Sequence, residues 1–375
     1  MKKLVIIFIL VFLCFEAIFG ITNLPLDQQP WRLLEQANIY FENGEFGKAL
    51  MLAKNARENK EKDYAWLGTT LTNALKAWEV QKAGDDIESV LRVLKSRDEH
   101  RAVAIIESFV SEKGLAFFHK SVKEIMSYIK KMSVYPEADF LCGKIYAIEG
   151  EIPVAKSYFI KTWDAAYALD VPDMKYDILY EIADTALVAK DNELFEQSIL
   201  RILADDTYFN GDSKALPSSD AESSFARSVL TAALERSFDA DTIFLMYRVS
   251  EYRSIKAYTK MADFLFKKGK LSERRFLTVS MFGALCAFNK ISSIVAERDV
   301  DYSYKTVDAL FKKAMRYPDI RAWIEENDVW QTFYYFSQAA NAHGKTALSR
   351  GLLQTIAANS QNTYQRNRAA AALER

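Results

Sequence analysis

The stretch Trp31–Arg57, WRLLEQANIYFENGEFGKALMLAKNAR, decides how the rest of the chain is read. Leu33, Ala37, Tyr40, Gly44, Phe46, Ala49, Ala53 and Ala56 follow one another at offsets of 4, 3, 4, 2, 3, 4 and 3. Those steps place Leu33, Ala37 and Tyr40 on one helical stripe and Ala49, Ala53 and Ala56 on another. Asn43-Gly44 ends the first helix, because glycine accepts the positive φ of a helix C-terminus. Ala37 and Ala49 carry so little side chain that the two axes can approach closely. An antiparallel helix hairpin is expected over these residues.

Working outward, the spacing recurs. Gly143, Tyr146, Gly150, Ile152, Ala155 and Phe159 repeat the offsets 3, 4, 2, 3 and 4. Pro136 and Pro153 stand where two helices would open, a place that needs no N–H partner. A third copy reads Leu179, Ala183, Ala186, then Lys190 at the turn, then Phe195 and Ile199, with Asp191-Asn192 able to cap the second helix. A fourth, at Met261-Ala262, Leu265, Gly269 and Leu271, has the turn but lacks the later small residue. Between these copies, Leu67-Leu71-Ala74-Trp78, Ile87-Leu91-Leu94, Val103-Ile106-Val110 and Val122-Ile125-Ile129 also step by three or four. No run alternates with period two for long enough to predict a sheet.

The first hairpin, and the second at the same offsets, resemble the tetratricopeptide repeat (TPR) family. The resemblance implies an all-α fold, a right-handed α-solenoid of stacked antiparallel helix hairpins. Equivalent small residues lie at 37, 143, 183 and 262, so the gaps are 106, 40 and 79. The family repeats about every 34 residues, so longer helices and divergent units are expected between the good copies. The family also implies a groove lined by the first helix of each hairpin. Here its positions would be Leu34, Asn38 and Phe41, then Phe140 and Lys144, then Tyr180 and Asp184. Some members clamp a C-terminal carboxylate with lysines and asparagines. Only Asn38 fits that pattern, and Leu34 stands where a lysine would be wanted.

Composition agrees with helix. Half of the 375 residues are hydrophobic, which excludes a disordered chain, and 13 Gly with 7 Pro leave few breakers. Residues 1–20 read as an export signal: Met1-Lys2-Lys3, an apolar run from Leu4 to Leu13, and small residues before a cleavage point at Gly20. The alternative is an uncleaved inner-membrane tether, although the 17 residues from Leu4 to Gly20 fall short of the ~20 a spanning helix wants. A periplasmic location, free or anchored, follows from either. Residues 21–209 then form the TPR-like array. The polar stretch 210–224 is a loop, with a helix opening near Asp220 at its end. Residues 225–375 form a divergent helical region closed by an Ala-rich capping helix.

The search for chemistry returns little. His100, His119 and His343 are scattered, no metal-ligand spacing occurs, and no phosphate-binding glycine loop is present. No cofactor is expected. Cys142 and Cys286 sit among apolar neighbours and read as buried thiols. The acidic pairs Asp85-Asp86, Asp205-Asp206 and Glu325-Glu326 read as solvated helix ends rather than a hydrolytic pair. A net charge of −1 gives no footprint for nucleic acid. The basic clusters Lys120-Lys123-Lys130-Lys131 and Lys267-Lys268-Lys270-Arg274-Arg275 read as solvated faces, the second alternatively as a contact for anionic headgroups. The expected function is a non-catalytic exported scaffold that binds protein partners in a cell-envelope assembly for secretion, motility or cell-wall work. Alternatives are an accessory protein binding a small ligand for solute transport, and an envelope enzyme with carboxylates brought together by the fold.

Overall fold

The computed structural model describes residues 24–80, 87–96, 129–211, 223–249 and 254–374, with isolated positions between 100 and 127. Residues 1–20 and most of 210–224 lie outside the described residues, as do half of 103–110 and most of 122–129. Among the described residues there are 17 α-helices and no strand, so the fold is all-α. The chain divides into two compact units, residues 1–190 and 191–375.

In the N-terminal unit, α1 (Pro30–Glu42) and α2 (Phe46–Val80) form the first hairpin, and α3 (Ile87–Ser96) packs on α2. A second hairpin joins α4 (Pro136–Ile148) to α5 (Ile152–Asp164), and α6 (Met174–Val188) packs mainly on α5. The sequence pattern treats Phe46–Arg57 and Leu67–Trp78 as separate runs, whereas α2 carries both in one helix of 35 residues. No Gly or Pro lies between Arg57 and Leu67, so nothing there breaks the backbone ladder.

The hairpins share one turn. After α1, the Gly44 N–H donates to the Phe41 carbonyl at 3.0 Å and the Glu45 N–H to the Tyr40 carbonyl at 2.8 Å, with Gly44 at φ 77°. After α4 the same pair of bonds forms around Gly150 at φ 82°. This is the Schellman motif, which satisfies two carbonyls that the helix leaves open. Lys190, after α6, takes the glycine's place at φ 59°.

The long sequence gap between the first two copies closes in space. Ala37, Ala49 and Ala53 share one buried cluster with Leu141, Cys142 and Ile145, and Leu33 and Ala56 share another with Tyr135 and Ala138. Along α1 and α4 the partners ascend together, so these first helices run parallel. Along α2 and α4 they run in opposite directions: Lys54 donates to the Tyr146 hydroxyl at 2.9 Å, Arg57 to Asp139 at 3.2 Å, and Lys60 lies 4.2 Å from the Tyr135 ring centre. Asp139, buried, also pairs with Lys161 of α5 at 2.8 Å. One carboxylate thus ties α2, α4 and α5 together.

The C-terminal unit comprises α7 (Asn192–Ala204), α8 (Thr207–Asn210), α9 (Ser224–Leu234), α10 (Ala240–Met246), α11 (Ile255–Lys267) and α12 (Arg274–Arg298). It continues through α13 (Val307–Ala314), α14 (Pro318–Glu326), α15 (Val329–Ala342), α16 (Thr346–Asn359) and α17 (Thr363–Leu373). The helix expected to open near Asp220 is described from Ser224, where the Ser223 hydroxyl accepts the Ala226 N–H at 2.9 Å. The Ala-rich helix expected within residues 361–375 is α17.

α12 is the centre of this unit. Its length and composition would suffice to cross a membrane, yet 72% of its apolar window is buried by neighbouring helices. Around it Phe244, Phe288, Phe311, Trp330 and Phe333 pack with ring centres 4.7–6.4 Å apart. Gly283 lets α12 meet both α11 and α15: a Cβ there would lie 2.7 Å from Thr332 Cγ2 and 3.0 Å from Tyr258 Cβ.

The seam positions generate two expectations. A Cβ on Gly143 would lie 2.5 Å from the Phe159 ring, whose side chain is wholly buried. Gly143→Ala should therefore lower unfolding free energy by about 1–3 kcal/mol in urea titration. Lys190→Gly should raise it by about 1 kcal/mol, because an L side chain is strained in the left-handed region.

Candidate functional site

The α1 and α4 helices carry five of the seven expected groove residues. Leu33 and Ala37 turn into the core, which leaves Leu34, Asn38 and Phe41 on the adjoining stripe of α1. Leu34 is half-buried against both alanine clusters, and Asn38 is exposed. Phe41 lies 5.7 Å from Phe46 across the turn. Phe140 is only 9% exposed and packs 5.7 Å from Phe159, so it is a wall of the core more than an open anchor. Over these rings sits Lys144, its Nζ 4.9 Å from the Phe41 centre and 5.8 Å from the Phe140 centre. Among the described residues no carboxylate pairs with Lys144.

Tyr180 and Asp184 lie one turn apart on α6, both half-buried. Since α6 packs chiefly on α5, these two stand apart from the Lys144 cluster. The seven positions therefore divide into a compact α1–α4 patch and a separate pair.

The patch has a definite chemistry. The Lys144 ammonium rests on two aromatic faces while its stem covers apolar surface. Beside it stand an exposed amide and a half-buried leucine. Such a surface suits an acidic group flanked by an aliphatic anchor, and nothing in it supplies a nucleophile or an acid–base pair.

The other candidates mostly resolve into structure. Cys142 and Cys286 are both buried, and burial raises the Cys142 thiol to a pKa of about 11. Among the described residues no group of His, Cys, Asp or Glu could hold a metal ion. His119, Asp85-Asp86, Lys120 and Lys123 lie outside the described residues. Of the second basic cluster, Lys267 pairs with Asp263, Lys270 with Glu273 and Arg275 with Glu196, at 2.6, 3.0 and 3.1 Å. Those charges are neutralised within the chain.

Asp206 corrects the expectation of a solvated helix end. It is 1% exposed and caps α8, accepting the Tyr208 and Phe209 N–H groups at 2.9 and 3.3 Å and the Tyr258 hydroxyl at 2.7 Å. Burial raises its pKa, and the hydrogen bonds from Tyr258 and Ser254 act against that rise. A short cap folded beneath α11 takes the carboxylate out of water, which sequence spacing alone does not reveal.

A further hairpin is not predicted by the sequence pattern. α15 and α16 join at Gly344, φ 72°, with Ser337 and Ser349 buried where Ala37 and Ala49 stand in the first hairpin. The offsets were present, but serine in place of alanine concealed them.

Comparison with known proteins adds no activity. No family model matches the chain. It is 25% identical over 332 residues to an uncharacterized protein of Treponema pallidum, covering 88% of this chain and 86% of the other. It is 20% identical over 234 residues to an uncharacterized protein of Borreliella burgdorferi, covering 60% and 71%.

Asp206 yields a pH-dependent expectation. Asp206→Ala should cost about 2 kcal/mol through the lost cap and the stranded Tyr258 hydroxyl. Asp206→Asn should be close to neutral at pH 7, since asparagine caps as well. With a folded pKa above the unfolded one, the wild-type carboxyl favours the folded state most at low pH and loses that contribution as pH rises through the folded pKa. Urea unfolding at pH 7 and pH 4 should thus show wild type gaining on Asp206→Asn at the lower pH.

Proposed function

We propose that the chain is an exported, non-catalytic TPR-like scaffold, a right-handed α-solenoid of antiparallel helix hairpins that binds protein partners in a cell-envelope assembly. The reading is supported by the parallel alignment of α1 with α4, by the Schellman turns that close successive hairpins, and by the signal-like residues 1–20. A rigid stack presents its contacts preorganised, which limits the ordering cost of association.

The observation that carries the reading is Lys144 seated on Phe41 and Phe140 beside Leu34 and Asn38. We assign this patch to an acidic protein segment with an aliphatic side chain for Leu34. Tyr180 and Asp184 would extend the contact along the stack. Secretion, motility and cell-wall assemblies all supply partners of this kind, and no cofactor is needed.

Cross-linked cells expressing the tagged protein provide the test. Envelope proteins recovered with the parent should fall about tenfold with Lys144→Glu, the loss expected when one partly desolvated charge contact is reversed. The triple variant Asn38→Ala, Lys144→Ala and Tyr180→Ala should behave likewise, at unchanged helicity by circular dichroism. Recovery indifferent to both variants would remove the α1–α4 patch as the binding surface.

A further inference from the structure

We propose that a cleft beside α12 binds the carboxylate group of a small organic acid. The cleft lies wholly within the C-terminal unit and has a volume of about 320 Å³. That is at the small end of ligand-sized pockets. Arg248, Asn289, Ser292 and Ser293 supply its polar lining, and Tyr208, Val249 and Ala296 its apolar one.

Arg248 is held in place by neutral groups. It follows the C-terminus of α10, where Tyr247 is extended and directs the chain toward α12. Its Nη1 donates to Asn289 Oδ1 at 3.1 Å and to the Tyr304 hydroxyl oxygen. Asn289 is 4% exposed, and its own Nδ2 donates to the Leu285 carbonyl at 2.8 Å, which fixes the orientation of the acceptor that Arg248 meets. Tyr304 is in turn braced by Ser292, which donates to it at 3.1 Å, and by the Phe288 ring at 5.4 Å.

Both of these bonds use the same nitrogen. Nε and Nη2, the edge that grips a carboxylate through two parallel bonds, donate to no described residue. Three other arginines are paired with carboxylates: Arg57 with Asp139, Arg275 with Glu196 and Arg298 with Asp319. Arg248 has no carboxylate partner among the described residues. A guanidinium preoriented by neutral partners and facing a cleft is the arrangement that a carboxylate ligand completes.

The class of ligand follows from the lining. One fixed positive charge matches one carboxylate. Among the described residues no lysine lines the cleft, so there Arg248 alone would leave a phosphate dianion half-neutralised. Tyr208, Val249 and Ala296 offer apolar surface for the remainder of the molecule.

Titration calorimetry of the purified protein at low ionic strength tests this, with benzoate, glutarate and inorganic phosphate as probes. At least one carboxylate should bind with one-to-one stoichiometry, and phosphate should not. Arg248→Gln should weaken that binding about tenfold or more, equivalent to about 1.4 kcal/mol. Ala296→Trp should do the same by filling the cleft from an exposed position, without touching the bonds that hold Arg248. Binding unchanged in both variants, phosphate binding alone, or no carboxylate bound at about 10 mM, where a millimolar site would be mostly filled, would each overturn the assignment.

Discussion

Helix axes in this protein can meet only where a side chain is nearly absent, and most of the packing depends on that constraint. Ala37, Ala49 and Ala53 are buried at the seam of the first hairpin, and they also receive Leu141 and Ile145 from α4. Gly143 sits against Phe159, and Gly283 sits where α12 meets α11 and α15. Ridges of side chains pack into grooves only if the crossing points are narrow. Around α12, large aromatic side chains fill the space between the crossings.

Polar contacts then select among the packings that close approach allows. Along α2 and α4, Lys54, Arg57 and Lys60 meet Tyr146, Asp139 and Tyr135 in antiparallel order. A slip of one helical turn would take Arg57 away from Asp139, which is costly for a carboxylate 2% exposed. Asp206 plays a comparable part in the other unit, where capping α8 and receiving Tyr258 hold the short helix beneath α11. Such contacts specify register more than they add stability.

The same reasoning separates structural charge from available charge. Most described cations of the Lys267–Arg275 cluster are spent on neighbouring carboxylates. Lys144 and Arg248 differ because aromatic rings and neutral hydrogen-bond partners hold them in place without cancelling them. A cation oriented at low cost and left uncompensated is suited to an external anion. The two sites lie in different units and offer different surroundings, one an open helix face and the other a cleft.

The sequence by itself determined the class of the fold, because helical periodicity and turn chemistry are local. Offsets of three and four around Gly44 and Gly150, with few other breakers, leave the backbone no alternative to helical hairpins. It also determined that Leu34, Asn38 and Phe41 share one stripe and Phe140 and Lys144 another, since a stripe follows from spacing alone. Tertiary structure alone decided which stripes touch. It brought α1 beside α4 across nearly a hundred intervening residues, buried Asp206 under α11, and gathered Arg248, Asn289 and Tyr304 from three separate segments. Contacts between distant segments depend on how surfaces fit after the helices form, and no local period in the chain records that fit.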